Sequence, residues 1–246
     1  MKFEIQRLKC VDSTNEFLKR AAANGTAGWT VVLADEQTSG KGRMGRNFHS
    51  PNNTGLYMSV LVRPNVLAQN SVRITACTAV AVRDAIQTVA GVETQIKWAN
   101  DLFLHGRKIC GILVESAVLG ECIDYTVIGI GINLKEPQEG FPEELKGIAS
   151  SLLGNAEDLV LAEVKEHLAM VILNNLAAFI DKLNDPCVIK QYMLSYKAAS
   201  FLIGREVMAD GQAVTVIDID EEARLVVRTK NGKIRCLVSG EVSIVI

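Results

Sequence analysis

Several familiar signals are missing from this sequence. No uninterrupted apolar run reaches the ~20 residues a membrane-spanning helix needs. The opening residues Met1-Lys2-Phe3-Glu4-Ile5-Gln6-Arg7 lack the apolar centre of a secretion signal. The six cysteines, at 10, 77, 110, 122, 187 and 236, form no C-x-x-C pair. His49, His105 and His167 show no ligand spacing. These absences argue against a disulfide framework and a zinc centre, and for a reduced cytoplasmic protein with no membrane partner. Acidic residues are missing from one long stretch. Between Gln37 and Arg83 there is no Asp or Glu, while Lys41, Arg43, Arg46, Arg63, Arg73 and Arg83 are basic. The formal net charge is only −2, so the chain is not a general nucleic-acid binder. It carries instead a local positive field suited to a small anion.

What is present begins with Gln37-Thr38-Ser39-Gly40-Lys41-Gly42-Arg43-Met44-Gly45-Arg46, three glycines and three cations in ten residues. Glycine lets backbone N–H groups approach a ligand, and arginine offers a fixed fork of donors to phosphate or carboxylate. The stretch reads as a loop that closes on an anion. Gly40, Gly42 and Gly45 satisfy G-x-G-x-x-G, but Arg46-Asn47-Phe48-His49-Ser50-Pro51 cannot open the helix a dinucleotide site requires.

At 246 residues and 48% apolar composition, the chain is one large domain, or a large one with a small companion. A strand over 2–11 leads to Ser13 and Glu16, spaced as a capping box, and to a helix ending near Asn24-Gly25. Thr14 and Asn15 are extra polar groups at that helix start, able to serve a ligand. Strands follow at 29–34, 55–62 and 92–98, with a helix over 71–90. Two β-branched runs, 108–118 and 122–134, form a hairpin across Leu119-Gly120-Glu121. The second ends in glycines alternating with isoleucines, which implies close packing on one face by a helix or a ligand. Helices are predicted at 161–183 and 188–198. From Gly204 five short alternating runs, the last at 242–245, read as a small all-β barrel. The domains are therefore 1–199 and 200–246.

Four ordered segments carry a resemblance. They are Ser13-Thr14-Asn15, the loop from Gln37 to Arg46, Lys97-Trp98-Ala99-Asn100-Asp101, and Arg107-Lys108-Ile109-Cys110-Gly111-Ile112-Leu113-Val114-Glu115. With Gly129-Ile130-Gly131-Ile132-Asn133-Leu134 and Gly240-Glu241-Val242-Ser243, this set resembles the biotin protein ligases along nearly the whole chain. The resemblance implies an α+β fold: a mixed-sheet catalytic domain of the biotin/lipoate ligase type followed by a small SH3-like β-barrel. The motifs begin almost at Met1, which leads us to expect the form without the N-terminal DNA-binding domain, and no DNA partner.

The activity implied is adenylation of biotin by ATP with Mg²⁺, then transfer to a lysine of a biotin carboxyl carrier protein. The implied catalytic residues are Arg43 and Lys108. Ser13, Thr14, Asn15, Gln37, Lys41 and Gly42 join them around biotin. Gly40, Arg46, Phe48, Lys97, Asn100, Asp101 and Asn133 join Arg43 around the nucleotide. The metal is held mainly through the ATP phosphates, with Asp101 as the protein candidate. Three positions depart from the commonest pattern. Lys41 stands in an arginine slot and gives up the fork of donors. Ala99 replaces proline, which should loosen the turn before Asn100. Phe48 replaces tryptophan but keeps an aromatic face. Lipoate ligation or octanoyl transfer, an interaction module for RNA or protein, and a homodimer through surface strands are the alternatives.

Overall fold

The computed structural model describes residues 2–240 and 242–244. Glu241 of the terminal motif and Val245 of the last expected strand lie outside them. A seven-stranded sheet has the order β1-β2-β3-β7-β6-β5-β4. Its strands are β1 (Glu4–Val11), β2 (Thr30–Gln37), β3 (Gly55–Val62), β4 (Gln95–Lys97), β5 (Asp101–Leu104), β6 (Arg107–Leu119) and β7 (Cys122–Asn133). Only β1 and β2 pair in parallel, so the sheet is mixed, as expected.

Residue alternation sorts this sheet into two faces. On one, Val31, Val60, Val62 and Ile128 join the main core beneath α2 (Ser71–Ala90) and α3 (Asp158–Ile180). On the other, Val32, Leu61 and Val127 pack with Leu18 and Ala22 of α1 (Thr14–Ala23). Every residue of β3 is buried, which explains its unbroken apolar run between two covered faces. Its one polar core member, Ser59, is fully buried on the α1 side. Three sites of β6 and β7 on that side carry no side chain. Gly111 of β6 pairs with Gly131 of β7, and Gly129 lies two residues along. The sheet is therefore thinned at the N-terminus of α1.

The fourth helix, α4 (Pro186–Ala199), starts where the Asp185 carboxylate accepts from the Cys187 N–H at 2.9 Å. Pro186 occupies the first helical position, where a missing N–H costs nothing. After it, β8 (Glu206–Ala209), β9 (Gln212–Ile219), β10 (Leu225–Thr229), β11 (Ile234–Leu237) and β12 (Val242–Ile244) form an antiparallel sheet in the order β11-β10-β9-β8-β12. Its buried residues, among them Val207, Val216 and Leu225, belong to the same apolar cluster as the large sheet.

The predicted capping box is corrected. Ser13 is at the N-cap of α1, but its side chain caps nothing. Glu16 turns instead to two lysines, Lys19 and Lys41. The loose turn at Ala99 is corrected too. Tyr196 Oη donates to the Ala99 carbonyl at 2.8 Å, and Trp98 Nε1 donates to the Ala223 carbonyl at 2.8 Å. The Trp98–Ala99 peptide is cis. Trp98 is core, with 4% of its surface exposed. Both anchors come from beyond residue 190, so the C-terminal part of the chain holds the turn that presents Asn100.

Candidate active site

The glycine floor and the start of α1 enclose a small cavity of about 50 Å³, open to solvent on one side. The sequence brings its walls from five places. Ser13, Thr14 and Asn15 come from the first turn of α1, and Gln37 from the end of β2. Lys41, Gly42, Arg43 and Phe48 come from the basic loop. Asn100 and Lys108 come from the turn before β5 and the start of β6. Gly40, Arg46, Lys97, Asp101 and Asn133 do not line it. Gly40 is buried beneath the Phe48 carbonyl, and Lys97 lies 5.7 Å from the Phe103 ring. Asn133 donates to the Ser150 carbonyl at 3.1 Å. Arg46 is exposed at the end of the loop.

One end of the cavity is a tight polar network. Gln37 Oε1 accepts from Thr14 N at 2.9 Å and from Thr14 Oγ1 at 3.1 Å, while Gln37 Nε2 donates to Ser50 Oγ at 2.9 Å. Ser59 Oγ lies 2.7 Å from Thr14 Oγ1 and 2.6 Å from Asn15 Oδ1. Asn15 Nδ2 donates to Glu115 Oε2 at 2.9 Å. Ser13, Thr14 and Asn15 are almost wholly buried. Buried polar groups are held when every donor has an acceptor, so this end has fixed donor and acceptor positions. Sequence reasoning missed Ser50, Ser59 and Glu115 as members. Ser59 had a signal, a lone small polar residue within Leu56-Tyr57-Met58-Ser59-Val60-Leu61.

The other end gathers cations. Arg43 Nη1 donates to Asn100 Oδ1 at 2.9 Å, and Asn100 Nδ2 donates to the Ile112 carbonyl at 2.9 Å. Lys108 Nζ lies 2.8 Å from Asp101 Oδ1. That oxygen is buried yet makes no aligned hydrogen bond, so charge alone joins the pair. The loop between the two ends is folded down. Gly42 N donates to the Arg46 carbonyl at 2.7 Å, Phe48 N donates to the Gly40 carbonyl at 2.8 Å, and Met44 takes a left-handed φ of 56°. The Phe48 ring then rests on Gly131, where an added Cβ would lie 2.5 Å from it. A Cβ at Gly129 would fall on the Asn15 amide. The alternating glycines thus admit both a helix start and an aromatic ring.

No group of three or more His, Cys, Asp or Glu among the described residues is arranged to hold a metal ion. Asp101 is a single carboxylate with one unaligned oxygen, which suits Mg²⁺ arriving on phosphates rather than a protein cage. Cys110 sits behind the site, fully buried, and burial pushes its thiol far above the usual range. No helix among the described residues is long and apolar enough to cross a membrane.

The sequence profile described as the Biotin/lipoate A/B protein ligase family matches residues 8–133. The Bifunctional ligase/repressor BirA of Bacillus spizizenii is 38% identical over 161 residues, which cover 65% of this chain and 50% of that protein. The Biotin--[acetyl-CoA-carboxylase] ligase of Mycobacterium tuberculosis is 34% identical over 224 residues, 87% of this chain and 79% of that protein. Among solved structures, the biotin protein ligase from Aquifex aeolicus in complex with biotin and ATP superposes with a TM-score of 0.76 at 28% identity. It covers 98% of this chain and 97% of that one. The chain spans about half the length of the Bacillus relatives it matches, at 50% of each.

Proposed function

This chain belongs to the biotin/lipoate A/B protein ligase family, and on that premise we propose that it is an ATP-dependent biotin protein ligase. The observation that carries the reading is the two-ended cavity. One end is a buried, hydrogen-bonded polar network around Thr14, Asn15 and Gln37, and the other holds Arg43 and Lys108. A ligand with a polar ring and an acidic tail fits such a cavity lengthwise. The ureido ring meets fixed donors and acceptors, and the carboxylate meets the cations.

The first step joins anions. A biotin carboxylate oxygen forms a bond to the α-phosphorus of ATP, the bond from that phosphorus to its bridging oxygen breaks, and pyrophosphate leaves. Mg²⁺ bound with ATP would supply neutralisation of phosphate charge, with Asp101 the residue that would hold it. Arg43 stabilises the α-phosphate with its fork of donors, Lys108 orients the carboxylate, and Asn100 holds Arg43 in place. Lys41 and Gly42 close over the biotin end. Gly40, Arg46, Phe48, Lys97, Asp101 and Asn133 serve the nucleotide. In the second step an acceptor lysine amine attacks the acyl carbon, the mixed anhydride opens, and AMP leaves. The acceptor is a biotin carboxyl carrier protein. Residues 1–199 form the catalytic domain, and 200–246 brace it. The free thiols suit a cytoplasmic location.

Pyrophosphate–ATP exchange with Mg²⁺ tests the reading. Biotin should drive exchange, while lipoate and octanoate should not. Exchange driven by lipoate or octanoate and not by biotin would transfer the assignment to the sister activity. No exchange with any of the three, beside salt-dependent RNA binding, would favour an interaction module.

A further inference from the structure

The loop's first cation does not face the cations' end of the cavity. Lys41 Nζ lies 2.6 Å from Glu16 Oε1, one turn into α1. The same oxygen is 2.8 Å from Lys19 Nζ, and Lys19 continues to Glu115 Oε1 on β6 at 2.8 Å. Glu115 in turn accepts from Asn15. A chain of alternating charges therefore runs from the loop through α1 to the sheet. Its lysine hydrogen bonds, Lys19 first and then Lys41, hold the Glu16 carboxyl below the usual range. Glu16 itself does not line the cavity.

We propose that the Lys41–Glu16 pair is a latch that fastens the glycine-rich loop to α1. By holding Phe48 down on the glycine floor, it sets how long the acyl-adenylate is retained. The step rests on the ligase reading only for the identity of what is retained. Other ties hold the loop on either side of Lys41, and Arg46 makes a contact of its own. Ser39 N bonds to the Asp12 carbonyl at 2.8 Å, and Arg43 bonds to Asn100. Between those ties the segment 40–42 has Lys41 as its one charged anchor. Lysine suits this task, because a latch needs a single flexible point charge rather than a fork. Glu16 is a positioning residue in this scheme, since it reaches the ligand only through the loop.

The Lys41 side chain is 48% exposed and that of Glu16 is 23% exposed. A pair so placed is worth little in isolation, so the effect on loop opening should be about two- to fivefold and screened by salt. The test compares wild type with Glu16→Gln and Lys19→Met. The first removes the latch, and the second leaves it in place while breaking the link to Glu115. Two rates are read: trypsin cleavage of the unliganded chain after Lys41, Arg43 and Arg46, and loss of labelled biotinyl-5′-AMP in a chase.

In Glu16→Gln both rates should rise about two- to fivefold at low salt and converge with wild type near ~1 M salt. Lys19→Met should stay within about twofold of wild type. Unchanged rates in Glu16→Gln, or an equal rise in Lys19→Met, would overturn the latch. If wild type forms no adenylate at all, the ligase reading fails, and the cleavage rates alone still decide the latch.

Discussion

Replacing Gly131 by alanine tests whether the glycine floor is what lets the loop close. The added Cβ would lie 2.5 Å from Phe48 Cε1, 2.7 Å from Cζ and 3.0 Å from Cδ1. Carbon atoms rest at about 3.5–4.0 Å, so the ring must retreat by roughly 1 Å. Two responses compete. The sheet could give, but Gly131 is paired on both sides, to Tyr57 and to Gly111. Overpacking of that kind costs about 1–3 kcal/mol. The loop could lift instead, dragging Phe48 N from the Gly40 carbonyl, at the cost of one hydrogen bond of about 1 kcal/mol. The loop is half-exposed and the strand is central, so the loop gives way. The variant should keep its melting temperature within about 4 °C of wild type. It should be cleaved faster after Arg43, and it should form adenylate about 10²-fold more slowly, since a 1 Å displacement of a catalytic group costs about that much. Wild-type rates of both cleavage and biotin-dependent pyrophosphate exchange would refute the reasoning. A melting temperature lowered by ~10 °C, with cleavage near Arg43 unchanged, would show that the sheet yields.

Arg43→Ala should lower pyrophosphate exchange by about 10²–10³-fold, the usual loss of one preorganised charged donor, with the fold intact by circular dichroism. Exchange within about fivefold of wild type would remove Arg43 from its role. Tyr196→Phe leaves the Ala99 carbonyl without its donor in a buried place. It should cost about 1–3 kcal/mol, seen as a lower urea midpoint, and an unchanged midpoint would show that the Asn100 turn does not depend on this bond. Arg20 forks Asp12 and holds its carboxyl down at about 2. A depressed carboxyl contributes stability above the unfolded value of about 3.9, and that contribution is lost as pH falls from near 4 toward 2. Carboxyl NMR titration should find Asp12 near 2 in wild type and close to 4 in Arg20→Ala, and equal values would rule the fork out as the cause.

Much of the fold was legible because its signals are local. The strand Gly55–Val62 and the helix Ser71–Ala90 fall where periodicity put them. The five C-terminal strands stand close to the five alternating runs, separated by the expected turns. The candidate residues Thr14, Gln37, Arg43, Asn100 and Lys108 were picked out by motif order, and the fold brings them to one cavity. What stayed hidden needed tertiary partners. Ser13 and Glu16 have capping-box spacing, but the carboxylate finds two lysines that no local rule predicts. Ala99 lost the stiffness of a proline, and its turn is held by Tyr196, 97 residues away. The alternating glycines pointed to something close above the strand. Only the fold shows that it is two things, the Asn15 amide and the Phe48 ring.

The resting partners of the three cations also say which of them is ready for an anion. Lys41 is paired with a carboxylate that belongs to the wall of α1, and Lys108 is beside the Asp101 carboxylate. For either to take up a new anion, an existing opposite charge must be given up or shared. Arg43 rests instead on the neutral amide oxygen of Asn100. Its full charge remains for an incoming phosphate, and the amide that holds it is itself tied to the Ile112 backbone. A neutral partner orients the guanidinium without cancelling its field, as electrostatic preorganisation requires. Lys108 is constrained differently. Its amine lies 2.8 Å from a buried oxygen of Asp101, so it meets a new carboxylate by sharing its charge between the two. In the proposed reaction this arrangement favours the arginine for the phosphate and the lysine for the acyl group.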